Sequence, residues 1–290
     1  VVPDGRLRYL PFEALVASGR EEGGRPVFWA ESVAISYAES VAAALGGQPW
    51  RASGGWLGAR GPAILAVGCS DGIRCDNRSR QVKRFFKPLA YVQREVGALA
   101  RLFAGDRVTA LIDEEAGEAR FKALELSRFG VVHLAAHGVI DDTDWWRSAL
   151  LLRPDAENGE DGFLTALEIS RLEIGRSLVV LSGCGTGAGR LYEGEGILGL
   201  SGAFRRAGAG PLVVSLWSVD DRATATLMER FYRGLAAGSS AAEALAGAKR
   251  EMIKAGYGNP FFWASFVLMG NAADPSGGQG EAGRAAASIR

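Results

Sequence analysis

Histidine and cysteine are scarce in this chain, with two and three copies among 290 residues. The odd set of cysteines, Cys69, Cys75 and Cys184, argues against a disulfide framework, and a reducing compartment suits a chain of this length. Net charge is missing as well, 33 basic residues standing against 33 acidic ones. Phosphate contacts are made by clustered Lys and Arg, so this balance argues against nucleic acid or an anionic membrane as partner. No apolar run approaches the ~18 residues of a membrane span, and Val1 to Leu15 lacks the order of a signal peptide, which points to a soluble, cytoplasmic protein. Gly-Lys-Ser and Gly-Lys-Thr are absent, which excludes a P-loop. A start methionine is also absent, so the sequence reads as an excised fragment. Glycine is abundant at 40 residues, about twice the usual ~7% share, and its scatter between apolar runs predicts many tight turns.

The first forty residues offer short extended candidates, Arg6–Leu10, Val27–Trp29 and Val33–Tyr37, split by a turn-rich Ser18–Pro26, and predict an antiparallel N-terminal extension. From Ala63 the pattern becomes alternating strand and helix. Strands are expected at Ala63–Gly68, Val108–Ile112, Val131–Ala135, Ala149–Leu152, Leu178–Ser182, Pro211–Trp217 and Phe266–Met269. Helices are expected over Tyr91–Phe103, Glu114–Leu126, a short stretch after Thr165, Gly196–Ala207, Arg222–Leu235 and Ala241–Ala255. Unbroken apolar runs such as Leu178–Leu181 suit strands buried on both faces, hence a mostly parallel sheet between helices, an α/β three-layer fold. Residues 1–273 are expected to form a single domain, with 1–60 as the extension and 61–273 as the core. Ser70–Lys87, Pro154–Gly162 and Asp274–Arg290 read as loose, the last as a disordered tail.

Both histidines fall in Val131-Val-His-Leu-Ala-Ala-His-Gly138, at the carboxyl end of a predicted buried strand, where open α/β sheets gather functional groups. Cys184 takes the equivalent place in Leu178-Val-Val-Leu-Ser-Gly-Cys-Gly-Thr-Gly187. Ser182, Gly183 and Gly185 beside it allow a sharp turn and close approach of substrate backbone. If the two strands are neighbours, His137 and Cys184 meet as base and nucleophile, while the Gly138 and Cys184 amides can serve as an oxyanion hole. His133 is read as a structural histidine.

These residues resemble the CHAT domain, a caspase-like family of the clan that includes separases, gingipains and metacaspases. Pro3-Asp-Gly-Arg-Leu-Arg-Tyr-Leu-Pro-Phe-Glu-Ala-Leu15 is similar to the family's opening motif. His133-Leu-Ala-Ala-His-Gly138 and Leu181-Ser-Gly-Cys-Gly-Thr-Gly187 resemble its histidine and cysteine motifs, and Ser215-Leu-Trp-Ser-Val-Asp-Asp221 and Trp263-Ala-Ser-Phe266 follow in the family's order. The resemblance implies a caspase-like sandwich and a cysteine endopeptidase with His137 as catalytic histidine and Cys184 as nucleophile. It further implies that Val213–Ser218 is the sheet edge receiving an extended peptide. Ser215, Trp217, Asp220 and Asp221 are then candidate substrate-binding residues, the two acids facing a basic side chain. The acids have a second reading, as N-caps of the helix that follows. The position of the separases' pocket acid is Ala225 here, and Gly185 stands where the family often carries an acidic residue or glutamine.

Two other classes compete. The chain can be a catalytically silent or regulatory interaction module, since relatives in the family often carry helical repeats upstream. The glycine-rich Leu178–Gly187 also resembles the first motif of S-adenosylmethionine-dependent methyltransferases, but the position before its glycines is Ser182, where that motif carries an acid, and too few strands follow. The expected partners are a protein or peptide substrate and an upstream helical-repeat region or activating partner. No organic cofactor and no catalytic metal are expected.

Overall fold

The computed structural model describes residues 1–20, 24–38, 40–46, 62–70, 74–77, 82–103, 105–141, 143–183, 190–192, 196–218 and 220–270. Cys184 and the tail from Asp274 therefore lie outside the described residues. In chain order the strands are β1 (Val16–Arg20), β2 (Pro26–Phe28), β3 (Ala63–Gly68), β4 (Arg74–Asn77), β5 (Val82–Phe85), β6 (Val108–Ile112), β7 (Phe129–Ala135) and β8 (Gly138–Val139). They continue as β9 (Ala149–Leu151), β10 (Phe163–Thr165), β11 (Leu178–Leu181), β12 (Arg190–Tyr192), β13 (Gly196–Leu198), β14 (Leu212–Ser215) and β15 (Phe266–Met269). The helices are α1 (Val41–Gly46), α2 (Val92–Leu102), α3 (Glu118–Lys122), α4 (Ala166–Ile169), α5 (Leu200–Arg206), α6 (Asp221–Ala236) and α7 (Ala241–Lys254).

The central sheet has the order β15-β14-β11-β7-β3-β6 and is parallel except for β15. Its strands alternate between two cores. Ile64, Val131, Val180 and Val213 point to one side, where α2, α6 and α7 pack; Leu65, Val132, Val179 and Val214 point to the other, where α3, α4 and α5 pack. Helices on both faces of a sheet whose strands are predominantly apolar make the expected three-layer α/β sandwich. From β3 the chain passes to β6 on one side and then to β7 on the other, so the strand order reverses between β3 and β7.

Gly68 sets how closely α2 approaches the sheet. A Cβ there would lie 2.6 Å from Val92 Cγ1 and 3.0 Å from Val96 Cγ2, so the glycine lets the helix settle directly on β3. The same face of α2 that carries Val92, Val96 and Leu99 also carries Glu95, only 2% exposed.

Several sequence expectations are corrected. Arg6–Leu10 is not extended: Gly5–Tyr9 forms a 3-10 turn whose first amide is capped by the Asp4 carboxylate. β1 reaches into the supposed turn at Ser18 and pairs with β2. Val33–Tyr37 forms no strand, and the N-terminal region joins the central sheet through one parallel bridge, Tyr37 N donating to Leu268 O and Gly270 N to Tyr37 O. The helix expected over Glu114–Leu126 is broken, because the backbone near Gly117 pairs with Arg153 instead of continuing the helix. The helix expected from Gly196 starts at Leu200, since β13 pairs with β12 and Gly199 has φ 156°. The Ser70–Lys87 stretch holds the β4–β5 hairpin, and Pro154–Gly162 is a turn closed by the Asp155–Glu160 bridge.

The opening motif is anchored to the core at Glu13 by charge pairing. Glu13 accepts from Lys249 Nζ at 2.8 Å and from the Tyr37 hydroxyl at 2.5 Å, with Glu13 and Lys249 both shielded from solvent. Burial, then the neighbouring Glu13 carboxylate, pushes the Tyr37 phenol well above its ordinary range.

Candidate active site

β7 and β11 are hydrogen-bonded parallel neighbours, Leu134 opposite Leu181, and the ladder extends past the strand end through Ser182 N donating to Leu134 O. The segments leaving these two strands, Ala136–Gly138 and Ser182–Gly183, therefore emerge side by side at the carboxyl edge of the sheet. Cys184 is the next residue in the chain after Gly183 and lies outside the described residues.

His137 is half-buried and fixed from behind. Its Nε2 lies 2.8 Å from Lys87 O, and its ring tilts against Phe86 with centroids 5.1 Å apart. A carbonyl only accepts, so Nε2 carries the proton of that bond. Neither Phe86 nor Lys87 was anticipated as part of the site, because a backbone carbonyl leaves no mark in side-chain patterning. Leu151 N donates to His137 O at 2.8 Å. That bond makes Gly138 and Leu150 a non-hydrogen-bonded pair of the β8–β9 ladder, so the Gly138 amide points away from β9.

His133, the other histidine of the motif, is fully buried: Tyr232 Oη contacts its Nδ1 at 2.9 Å, and its Nε2 stands 3.2 Å from Glu95 Oε1. That last contact lacks hydrogen-bond alignment, so both atoms remain without a hydrogen-bond partner.

A cavity opens beside Gly183. Val92 and Glu95 of α2 face it from one side and Ser182 and Ser215 from the sheet, while Asp221 and Thr224 come from the first turn of α6. Ser215 is buried and its hydroxyl donates to Gly183 O at 2.5 Å, tying β14 to the segment that leaves β11. The two acids of Asp220-Asp221 separate. Asp220 caps α6 by accepting from Ala223 N at 2.9 Å, whereas Asp221 lines the cavity and accepts from Tyr91 N at 2.8 Å. Burial, reinforced by Glu95 and Asp220, raises the Asp221 carboxyl above its ordinary range. Trp217 is half-buried, stacks on exposed Phe261 at 6.4 Å and donates from Nε1 to Phe261 O at 3.2 Å.

The expected peptide-receiving edge at Val213–Ser218 is corrected in part. Leu212–Ser215 lies inside the sheet, paired with β11 on one side and β15 on the other, and Leu216 N is taken by Ser265 O. Of Val213–Ser218, only Trp217 and Ser218 lie outside these pairings.

Among the described residues one carboxylate group has the spacing of a metal site, Glu118, Glu160 and Glu168. The Lys122 ammonium already sits in it, 2.7, 2.6 and 2.8 Å from the three carboxylates, and a cation site so occupied is a structural ion cluster.

The CHAT domain family model matches residues 1–271. The chain belongs to the CHAT domain family. Two curated relatives are similar to it: human (Homo sapiens) tetratricopeptide repeat protein 28, 31% identical over 133 residues, and its mouse (Mus musculus) counterpart, 33% identical over 109 residues. The matches span 42% and 37% of this CHAT chain but 5% and 4% of those proteins. Among solved structures, separase in the Saccharomyces cerevisiae separase–securin complex superposes with a TM-score of 0.54 at 14% identity, over 90% of this chain and 14% of that one. The Arg-specific cysteine proteinase gingipain R gives 0.49 at 9% identity over 72% and 46%. The CHAT chain thus shares separase's caspase-like fold.

Proposed function

We propose that this CHAT domain is a cysteine endopeptidase in which Cys184 attacks the scissile carbonyl and His137 serves as its acid–base partner. The reading rests above all on one observation: His137 and the turn leading to Cys184 leave the carboxyl ends of hydrogen-bonded neighbouring strands. Anchoring of Nε2 on Lys87 O supports a fixed ring whose Nδ1 faces the reaction. The proton taken from the Cys184 thiol passes to His137 and then to the leaving amine, and water frees the acyl-enzyme. The amides of Gly138 and Cys184 hold the oxyanion. Asp221 and Ser215 line the cavity for the side chain preceding the cut, and Trp217 follows Ser215 two residues on. Asp220 acts on substrate only through the helix it caps. The protein relatives' tetratricopeptide name supports an arrangement in which adjoining helical repeats regulate the domain.

A peptide library varied at the residue before the cut tests this, with the intact chain beside Cys184→Ala and His137→Ala. Cleavage should vanish in the first variant and fall by about 10²–10⁴-fold in the second. Cleavage that survives Cys184→Ala would overturn the assignment; absence of cleavage together with unmodified Cys184 would favour the silent interaction module.

A further inference from the structure

Behind His137 a series of bonds runs back to a residue that the peptidase reading leaves unused. Among the described residues, Asp113 is the only one other than glycine with a positive φ, 50°. A non-glycine residue in the left-handed region is strained, persists only where its surroundings hold it, and is found disproportionately at functional sites. Asp113 directly follows β6, the strand beside β3, and its carboxylate serves the exit of β3. Oδ1 accepts from Ser70 N at 2.8 Å and from Ser70 Oγ at 2.6 Å, while Oδ2 accepts from Gln93 Nε2 at 3.0 Å. Burial opposes its ionisation, but the bonds from Ser70 and Gln93 hold the Asp113 carboxyl below its ordinary range. Ser70 is held at both ends of its backbone, because its carbonyl accepts from Leu89 N at 2.9 Å. That bond closes the base of the excursion that leaves the sheet at Ser70, carries the β4–β5 hairpin and returns at Leu89. Phe86 and Lys87, the residues that meet His137, lie on the returning limb just before Leu89. Phe86 packs against Ala149, Leu151 and Phe163, and Leu89 against the core beneath α2. The Lys87 carbonyl between them is placed by the Ser70–Leu89 clasp, and a displacement of about 0.5 Å would take its 2.8 Å bond to His137 beyond the roughly 3.2 Å limit of an ordinary N–H···O bond.

We propose that Asp113 is a positioning residue for His137: through Ser70 and Leu89 it fixes the Lys87 carbonyl, and with it the tautomer and ring orientation of the histidine. The proposal rests on the reading of His137 as the acid–base partner of Cys184. In a neutral imidazole one ring nitrogen carries the proton and the other accepts. With Nε2–H engaged on Lys87 O, Nδ1 is the acceptor that takes the thiol proton. With Lys87 O displaced, both tautomers are populated and only a fraction of the molecules holds a competent base.

The chain has only two histidines, so their ring nitrogens can be read directly by NMR of the full chain carrying isotope-labelled histidine, with His137→Ala to assign the signals. The spectra are taken on the Cys184→Ala protein, in which no thiolate charges the ring, at about pH 8, above the ordinary histidine pKa of about 6.5. His137 should show a single, Nε2-protonated tautomer. Adding Asp113→Gly, which suits a φ of 50° without strain, should turn His137 into a mixture of tautomers, while His133, held by Tyr232 at 2.9 Å, keeps its signals. Asp113→Asn, which retains an acceptor for Ser70, should restore most of the original spectrum. With Cys184 in place, kcat for a cleaved peptide should fall about 10- to 100-fold in Asp113→Gly at nearly constant KM, and recover in part in Asp113→Asn. A mixture already present before Asp113 is changed, or a His137 ring unmoved by Asp113→Gly, would overturn the positioning role and leave the peptidase reading standing. Signals of both histidines that shift together, marking a general loosening of the sheet, would overturn it as well, and so would a moved His137 ring with an unmoved kcat. A change confined to His137 in a chain that cleaves no peptide would uphold the hold of Asp113 on the ring and sink the peptidase reading alone.

Discussion

At the residue scale, two of the molecule's buried charges are legible as charged residues on apolar stripes. Glu95 interrupts the Val92, Val96, Leu99 face of α2, and Lys249 interrupts the Leu245, Ala248, Met252 face of α7. A charge at such a position is rare unless it is paired, so each marks a partner elsewhere in the chain. For Lys249 the partner is Glu13 of the opening motif, 2.8 Å away. Lys249→Met should cost about 3–5 kcal/mol in urea denaturation, because it strands the Glu13 carboxylate beside Tyr37. Adding Glu13→Gln should recover much of that loss. Equal destabilisation in single and double variants would show that the pair is not energetically coupled. What the residue pattern does not reveal is the Lys87 carbonyl that holds His137, since backbone acceptors are present at every position alike.

At the element scale, strands were more legible than helices. β3 and β15 fall where the apolar runs place them, because strands buried on both faces have little polar signal to confuse their limits, and the half-buried edge strand β6 does so as well. The α3 region failed, since the backbone hydrogen bonds that a longer helix would have used go to Arg153 in the neighbouring hairpin. That region is held instead by Lys122 among Glu118, Glu160 and Glu168. Burial, aided by Glu168 and Glu160 and opposed by Lys122, pushes the Glu118 carboxyl up from 4.5 to about 6. A raised carboxyl binds its proton more tightly in the folded state than in the unfolded one. Its stabilising contribution is therefore full below pH 4.5 and declines as pH rises through about 6. Relative to Glu118→Gln, the wild type should lose about 1–2 kcal/mol between pH 4.5 and 6.5 in paired denaturation curves. A difference that stays constant across this window would contradict the cluster's electrostatics.

At the scale of the whole molecule, the parallel order β14-β11-β7-β3 does the positioning, because it lines up the exits of β7, β11 and β14 along one edge. The sequence indicated that histidine and cysteine sit at strand ends, but adjacency of those strands is a property of the topology, and no local pattern carries it. The same topology made β14 an interior strand, against the expectation of a free edge. The central claim is that the β7 and β11 exits unite His137 and Cys184 into one reactive centre. Its most direct test is covalent capture of the intact chain by a mixture of peptidyl acyloxymethyl ketones varied at the residue next to the warhead, mapped by mass spectrometry. The account predicts one adduct, on Cys184, formed about 10²-fold or more slowly in His137→Ala. Capture at Cys69 or Cys75 instead, or at Cys184 with the same rate in both proteins, would contradict it.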